Sequence, residues 1–140
     1  MTVVTGVIGS DVHCIGLKIL EHALRKDGFQ VASLGIQAKQ EELIAAAIET
    51  GAPAILISSL YGHAELDCRG LRDRCTESGL DGILLYIGGM LEVTSQAEWP
   101  ETEQKFRALG FDRVYPPRAS VKDAIADLRA DLAKRSGRRS

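Results

Sequence analysis

Val3-Val4-Thr5-Gly6-Val7-Ile8-Gly9, followed at once by Ser10-Asp11-Val12-His13-Cys14-Ile15-Gly16, decides the reading of this chain. The first seven residues are apolar without strict alternation, the pattern of a strand covered on both faces of a parallel sheet. The next seven carry the small and polar residues of a loop. Leu17, Leu20 and Leu24 then fall at helical spacing.

The same unit recurs along the chain. Strand-like runs stand at Gln30 to Gly35, Ala54 to Ser58, Gly82 to Ile87 and Arg113 to Tyr115. Helical spacing marks Leu43, Ala46 and Ala47, then Leu66 and Leu71, then Phe106 and Leu109, and last Ile125, Leu128 and Leu132. Gly28, Gly51, Gly79 and Gly110 each follow a helical segment, where a left-handed cap favours glycine. Strand and helix in alternation predict a doubly wound α/β fold, a parallel five-stranded sheet with helices on both faces in a flavodoxin-like (Rossmann-like) order. Ligands of such sheets bind beyond the carboxyl ends of the strands. Three loops are expected to converge there: Ser10 to Gly16, Ser58 to Gly62 and Gly88 to Thr94.

Composition sets outer bounds. At 140 residues the chain has the size of one domain. Its basic end, Lys134-Arg135-Ser136-Gly137-Arg138-Arg139-Ser140, reads as a solvated tail, so the domain is drawn as 1–134 with 135–140 outside it. A net charge of −2 makes no electrostatic case for nucleic acid or an anionic membrane. No apolar run is long enough to span a bilayer, and the start lacks a secretion signal. Cys14, Cys68 and Cys75 form no CxxC pair, which points to reduced thiols and a cytoplasmic protein.

Few residues announce chemistry. His13, two residues after Asp11, reads either as a surface loop histidine or as a metal ligand whose second ring nitrogen donates to that carboxylate. A single histidine cannot hold a free zinc ion, so a ligand role requires a metal already held in an organic ring. Ser58-Ser59-Leu60 either caps the next helix or offers hydroxyls to a ligand. Gly88-Gly89 makes either a sharp turn or a close approach for a flat ligand, with the turn favoured on the doublet alone. No P-loop or GxGxxG motif is present. Cys14 next to His13 lacks the geometry of a nucleophile and its base. His63 fits the surroundings of a helix start, and His22 a partly exposed helix position. Cys68 and Cys75, seven apart, read as buried residues on one helix face, and Glu65, Asp67, Arg69, Arg72 and Asp73 as a solvated one. Trp99-Pro100 opens a helix, and Tyr115 either flanks a planar ligand or covers the sheet edge.

In order, Asp11-Val12-His13-Cys14-Ile15-Gly16, Ser58-Ser59-Leu60 and Gly88-Gly89 resemble the cobalamin-binding pattern DxHxxG…SxL…GG. With Val7-Ile8-Gly9-Ser10-Asp11, Ala46-Ala47-Ile48-Glu49-Thr50, Ser58-Ser59-Leu60-Tyr61-Gly62 and Gly110-Phe111-Asp112-Arg113-Val114-Tyr115-Pro116-Pro117, the chain resembles the small (S, or sigma) subunits of glutamate mutase, also called methylaspartate mutase, from about Val3 to about Leu132.

The resemblance implies adenosylcobalamin bound with its own base displaced. His13 would be the lower axial cobalt ligand and Asp11 its partner. Gly16, Ser58, Ser59, Leu60, Gly88 and Gly89 would line the slot for the displaced nucleotide tail, with Met90, Leu91, Glu92, Val93 and Thr94 beside it. Ser10 and Cys14 would flank the corrin; Val12, Tyr61 and Tyr115 complete the candidate set. At Met90 the chain departs from the pattern, since family members often carry asparagine there, so that polar contact to the tail is not carried over. The family reaction interconverts L-glutamate and (2S,3S)-3-methylaspartate. No catalytic residue is assigned here, and no convergent arginines would hold a dicarboxylate. The resemblance implies that a large (E, or epsilon) barrel subunit binds substrate, in an assembly of two small and two large chains, and that the small chain alone is inactive. The alternatives are a corrinoid carrier or the cobalamin-binding subunit of another mutase or methyltransferase. A flavodoxin-like signalling module lacks its phosphate loop and acidic cluster here.

Overall fold

The structure is a computed structural model and describes residues 2–8, 15–59, 68–80, 82–89, 99–115 and 120–138. Five strands, β1 (Thr2–Val7), β2 (Gln30–Ser33), β3 (Ala54–Ser59), β4 (Leu84–Gly89) and β5 (Arg113–Val114), form one parallel sheet in the order β2-β1-β3-β4-β5. Between and after them lie α1 (Ile15–Lys26), α2 (Gln40–Thr50), α3 (Leu71–Glu77), α4 (Trp99–Ala108) and α5 (Val121–Arg138). This is the doubly wound order expected from the sequence. Helical backbone in α5 continues to Arg138.

Two apolar clusters cover the sheet. On one face Leu43, Ile44 and Ala47 of α2, Leu71 and Cys75 of α3 and Phe106 of α4 pack on Val4, Ile55, Ile57, Leu85 and Ile87. On the other, Leu24 of α1 and Ile125 and Leu128 of α5 pack on Val3, Ala54, Leu56 and Tyr86. Alternate residues of each strand therefore feed alternate clusters, which is why the strands read as unbroken apolar runs.

Several local expectations change in detail. β4 starts later than expected and runs through Gly88 and Gly89, which pair with Ser58 and Ser59. Gly88 is therefore a strand residue, not a turn. Cys68 and Cys75 are both buried, but not along one helix face: α3 begins only at Leu71, after Gly70 at φ 77°. Arg72 is not part of a solvated face. It donates to the carbonyls of Ile83 (2.7 Å) and Gly110 (2.9 Å) and to the Asp112 carboxylate (2.7 Å), tying α3 to the start of β4 and to the turn after α4. β5 stops at Val114, one residue before Tyr115.

Candidate functional site

The strand order reverses between β1 and β3, the switch point where such sheets open a crevice at their carboxyl ends. The register puts Val7 opposite Ser58 and Ser58 opposite Gly88. Tyr115 is next in line: its amide donates to the Ile87 carbonyl (2.9 Å), and a Cβ on Gly88 would lie 3.3 Å from the Tyr115 Cβ. Val7, Ser58, Gly88 and Tyr115 thus form one row across four strand ends, facing α1 and α5.

One row deeper stand Thr5, Leu56, Tyr86 and Arg113. Thr5 is fully buried and donates its hydroxyl to the buried carboxylate of Glu21 on α1. The Tyr86 hydroxyl donates to Asp131 of α5. From this filled row to the last one, the middle pair shrinks from Leu56 and Tyr86 to Ser58 and Gly88. Side-chain volume on the face toward the two helices therefore falls at the strand ends. A flat group would find the least obstruction there, and glycine allows the closest approach.

The rim beside Gly88 is held by a polar network. Arg113 grips Asp131 with two hydrogen bonds (2.9 and 3.0 Å) and lies 3.6 Å from Asp127. Tyr115 donates to Asp127 (2.7 Å), and its ring lies 5.9 Å from that of Tyr86. The Arg113 bonds hold the Asp131 carboxyl below its usual range. Burial, then hydrogen bonding to an aspartate, pushes both tyrosine hydroxyls well above theirs. Both tyrosines are therefore neutral donors across the physiological range.

Of the candidate residues, Ser58, Ser59, Gly88 and Gly89 come together at adjacent strand ends, Tyr115 borders them, and Gly16 lies in the first turn of α1. Ser10, Asp11, Val12, His13, Cys14, Leu60, Tyr61, Met90, Leu91, Glu92, Val93 and Thr94 lie outside the described residues, as do His63, Glu65 and Asp67. His22 is exposed on α1. Sequence reading missed Val7, the Thr5–Glu21 pair and the two α5 aspartates. Asp127 and Asp131 sit four apart, each just before an apolar residue of the helix stripe, which was the available signal. Among the described residues no three His, Cys, Asp or Glu side chains gather to hold a metal ion, and no helix is long and apolar enough to cross a membrane. An open hollow of about 310 Å³ between α2 and α3, lined by Ile44, Ile48 and Arg74 among others, is built from helices of the opposite face.

Comparison with known proteins identifies the family. The B12 binding domain family model matches residues 1–110. The glutamate mutase sigma subunit of Carboxydothermus hydrogenoformans is 54% identical over 132 residues, covering 94% of this chain and 96% of that protein. That of Clostridium cochlearium is 54% identical over 131 residues, covering 94% and 95%. This chain belongs to the glutamate mutase sigma subunit family. The fold of the family's B12 binding domain is shared with more distant proteins. A cobalamin-binding protein from Desulfitobacterium hafniense superposes with a TM-score of 0.75 at 20% identity, over 93% of this chain and 58% of that one. The Methanosarcina barkeri monomethylamine corrinoid protein gives 0.71 at 23% identity, over 91% and 57%. The chain thus spans a little over half the length of these two structures, and the likeness is one of fold.

Proposed function

We infer that this chain is the cobalamin-binding small subunit of an adenosylcobalamin-dependent glutamate mutase, an isomerase component that works with a large subunit. The observation that carries the reading is identity of 54% to sigma subunits over nearly their whole length, on a sheet whose facing side chains shrink to serine and glycine at the carboxyl ends of its middle strands. Adenosylcobalamin supplies, when bound, the radical chemistry that interconverts L-glutamate and (2S,3S)-3-methylaspartate. The protein's share is to hold, orient and shield that group.

In this reading His13 would ligate the cobalt, and Asp11 would accept a hydrogen bond from its other ring nitrogen, fixing the tautomer. Ser58 and Gly88 line the slot for the nucleotide tail, Ser59 and Gly89 end the strands beside it, and Tyr115 forms its lateral rim. Gly16 and Leu60 would line the slot with them, Met90 to Thr94 would lie beside the tail, Ser10 and Cys14 would flank the corrin, and Val12 and Tyr61 complete the candidate set. The large subunit binds the dicarboxylate substrate, and the assembly holds two chains of each kind. The buried thiols Cys68 and Cys75 suit a reducing cytoplasm. A corrinoid carrier for methyl transfer has only fold-level likeness behind it.

The test is reconstitution. The chain mixed with adenosylcobalamin and a glutamate mutase large subunit is expected to convert L-glutamate to 3-methylaspartate, and neither subunit alone should do so. Tight cobalamin binding without turnover in the mixture would refute the mutase assignment while leaving a corrinoid protein. His13→Gly should weaken cobalamin binding and shift its visible spectrum; an unchanged spectrum removes His13 as the ligand.

A further inference from the structure

The geometry points to Asp127 as a positioning residue for the cofactor's nucleotide tail, acting through Tyr115; this rests on the slot reading just proposed. Strand pairing alone does not hold Tyr115. β5 ends at Val114, and beyond it Tyr115 keeps, among the described residues, one backbone hydrogen bond, to Ile87. What fixes its ring is the 2.7 Å hydrogen bond from its hydroxyl to Asp127 on α5. Its Cβ in turn abuts Gly88 so closely that the space a Gly88 side chain would fill is already bounded by Tyr115. The lateral wall of the slot is therefore set from α5, not from the sheet.

The two aspartates of α5 divide the work. Asp131 takes both hydrogen bonds from Arg113 and the Tyr86 hydroxyl, and so anchors the helix. Asp127 stands 3.6 Å from the same guanidinium, a looser contact, and its one short hydrogen bond among the described residues is to Tyr115. Loss of Asp131 loosens the helix. Loss of Asp127 leaves the helix anchored and frees the tyrosine ring to turn about its side-chain bonds, into or away from the slot.

The experiment compares adenosylcobalamin with adenosylcobinamide, which lacks the nucleotide tail. Equilibrium dialysis of the full chain measures both affinities, well below the melting temperature. The wild type should prefer the complete cofactor. Asp127→Ala and Tyr115→Phe should each reduce that preference about three- to tenfold, the span of one hydrogen bond's net contribution. The double variant should lose no more than either single one, because both break the same link. Phe106→Ala, in the cluster on the opposite face of the sheet, should lower the melting temperature and leave the preference within about twofold. If Asp127→Ala does not fold, Tyr115→Phe, which keeps the ring, decides alone. A preference retained in Tyr115→Phe and Asp127→Ala overturns this inference, as does an equal loss in Phe106→Ala. A wild type with no preference overturns the slot reading itself.

Discussion

Gly110 has φ +107°, and a Cβ there would lie 2.4 Å from the Cβ of Arg72. Two costs coincide: a backbone region that L side chains avoid, and a collision with a side chain already committed to three acceptors. Gly110→Ala should therefore cost about 2–4 kcal/mol in urea unfolding. Gly51 caps α2 at φ +66° with open space around it, so Gly51→Ala should cost about 1 kcal/mol from the backbone alone. Both glycines were legible in the sequence as helix stops. Their different costs were not, because the collision at Gly110 comes from a residue 38 positions away.

At the scale of elements, single side chains bind neighbours that the sequence keeps apart. Arg72 joins α3 to the turn before β4 and to the turn after α4. Arg72→Met should cost about 2–3 kcal/mol, since two carbonyls and one carboxylate lose their donor together. Arg72→Lys should recover only part of this, as an ammonium lacks the guanidinium's fixed fork. The α5 anchor carries a pH signature. Asp131 titrates lower folded than unfolded, so its contribution is complete above about pH 4 and is lost as pH falls through the depressed folded value. The wild-type melting temperature should therefore drop more steeply as pH falls below about 4 than that of Asp131→Asn, which should start lower at neutral pH. Equal slopes would show that Asp131 is not the group responsible. Charges at 127 and 131 were visible as an i, i+4 pair; their partners on β4 and β5 were not, because nothing local in the sequence pairs a helix with those strand ends.

For the whole molecule, the sheet is a shared wall between two clusters, so damage to either should be felt in one cooperative transition. Phe106→Ala empties a fully buried ring site on the α2/α3/α4 face and should cost about 3–5 kcal/mol without moving the slot proposed on the other face. Cofactor binding should stabilise the whole domain by mass action, by about 2.7 kcal/mol at a hundredfold excess over Kd, and His13→Gly should lose most of that shift. Thermal melting with and without adenosylcobalamin measures both.

The sequence by itself determined the class of fold, because an alternation of buried strand and amphipathic helix has few right-handed solutions. Through the ordered pattern around His13, Ser58 and Gly88, and the family resemblance it carries, it also pointed to the kind of group the chain addresses. Only the tertiary structure decided why Gly88 must be small, which side chains floor the crevice, and that α5 holds its rim. Those are matters of register and packing. Ser58, Gly88 and Tyr115 become neighbours only once three strands align, and Asp127 reaches Tyr115 only once α5 lies across them.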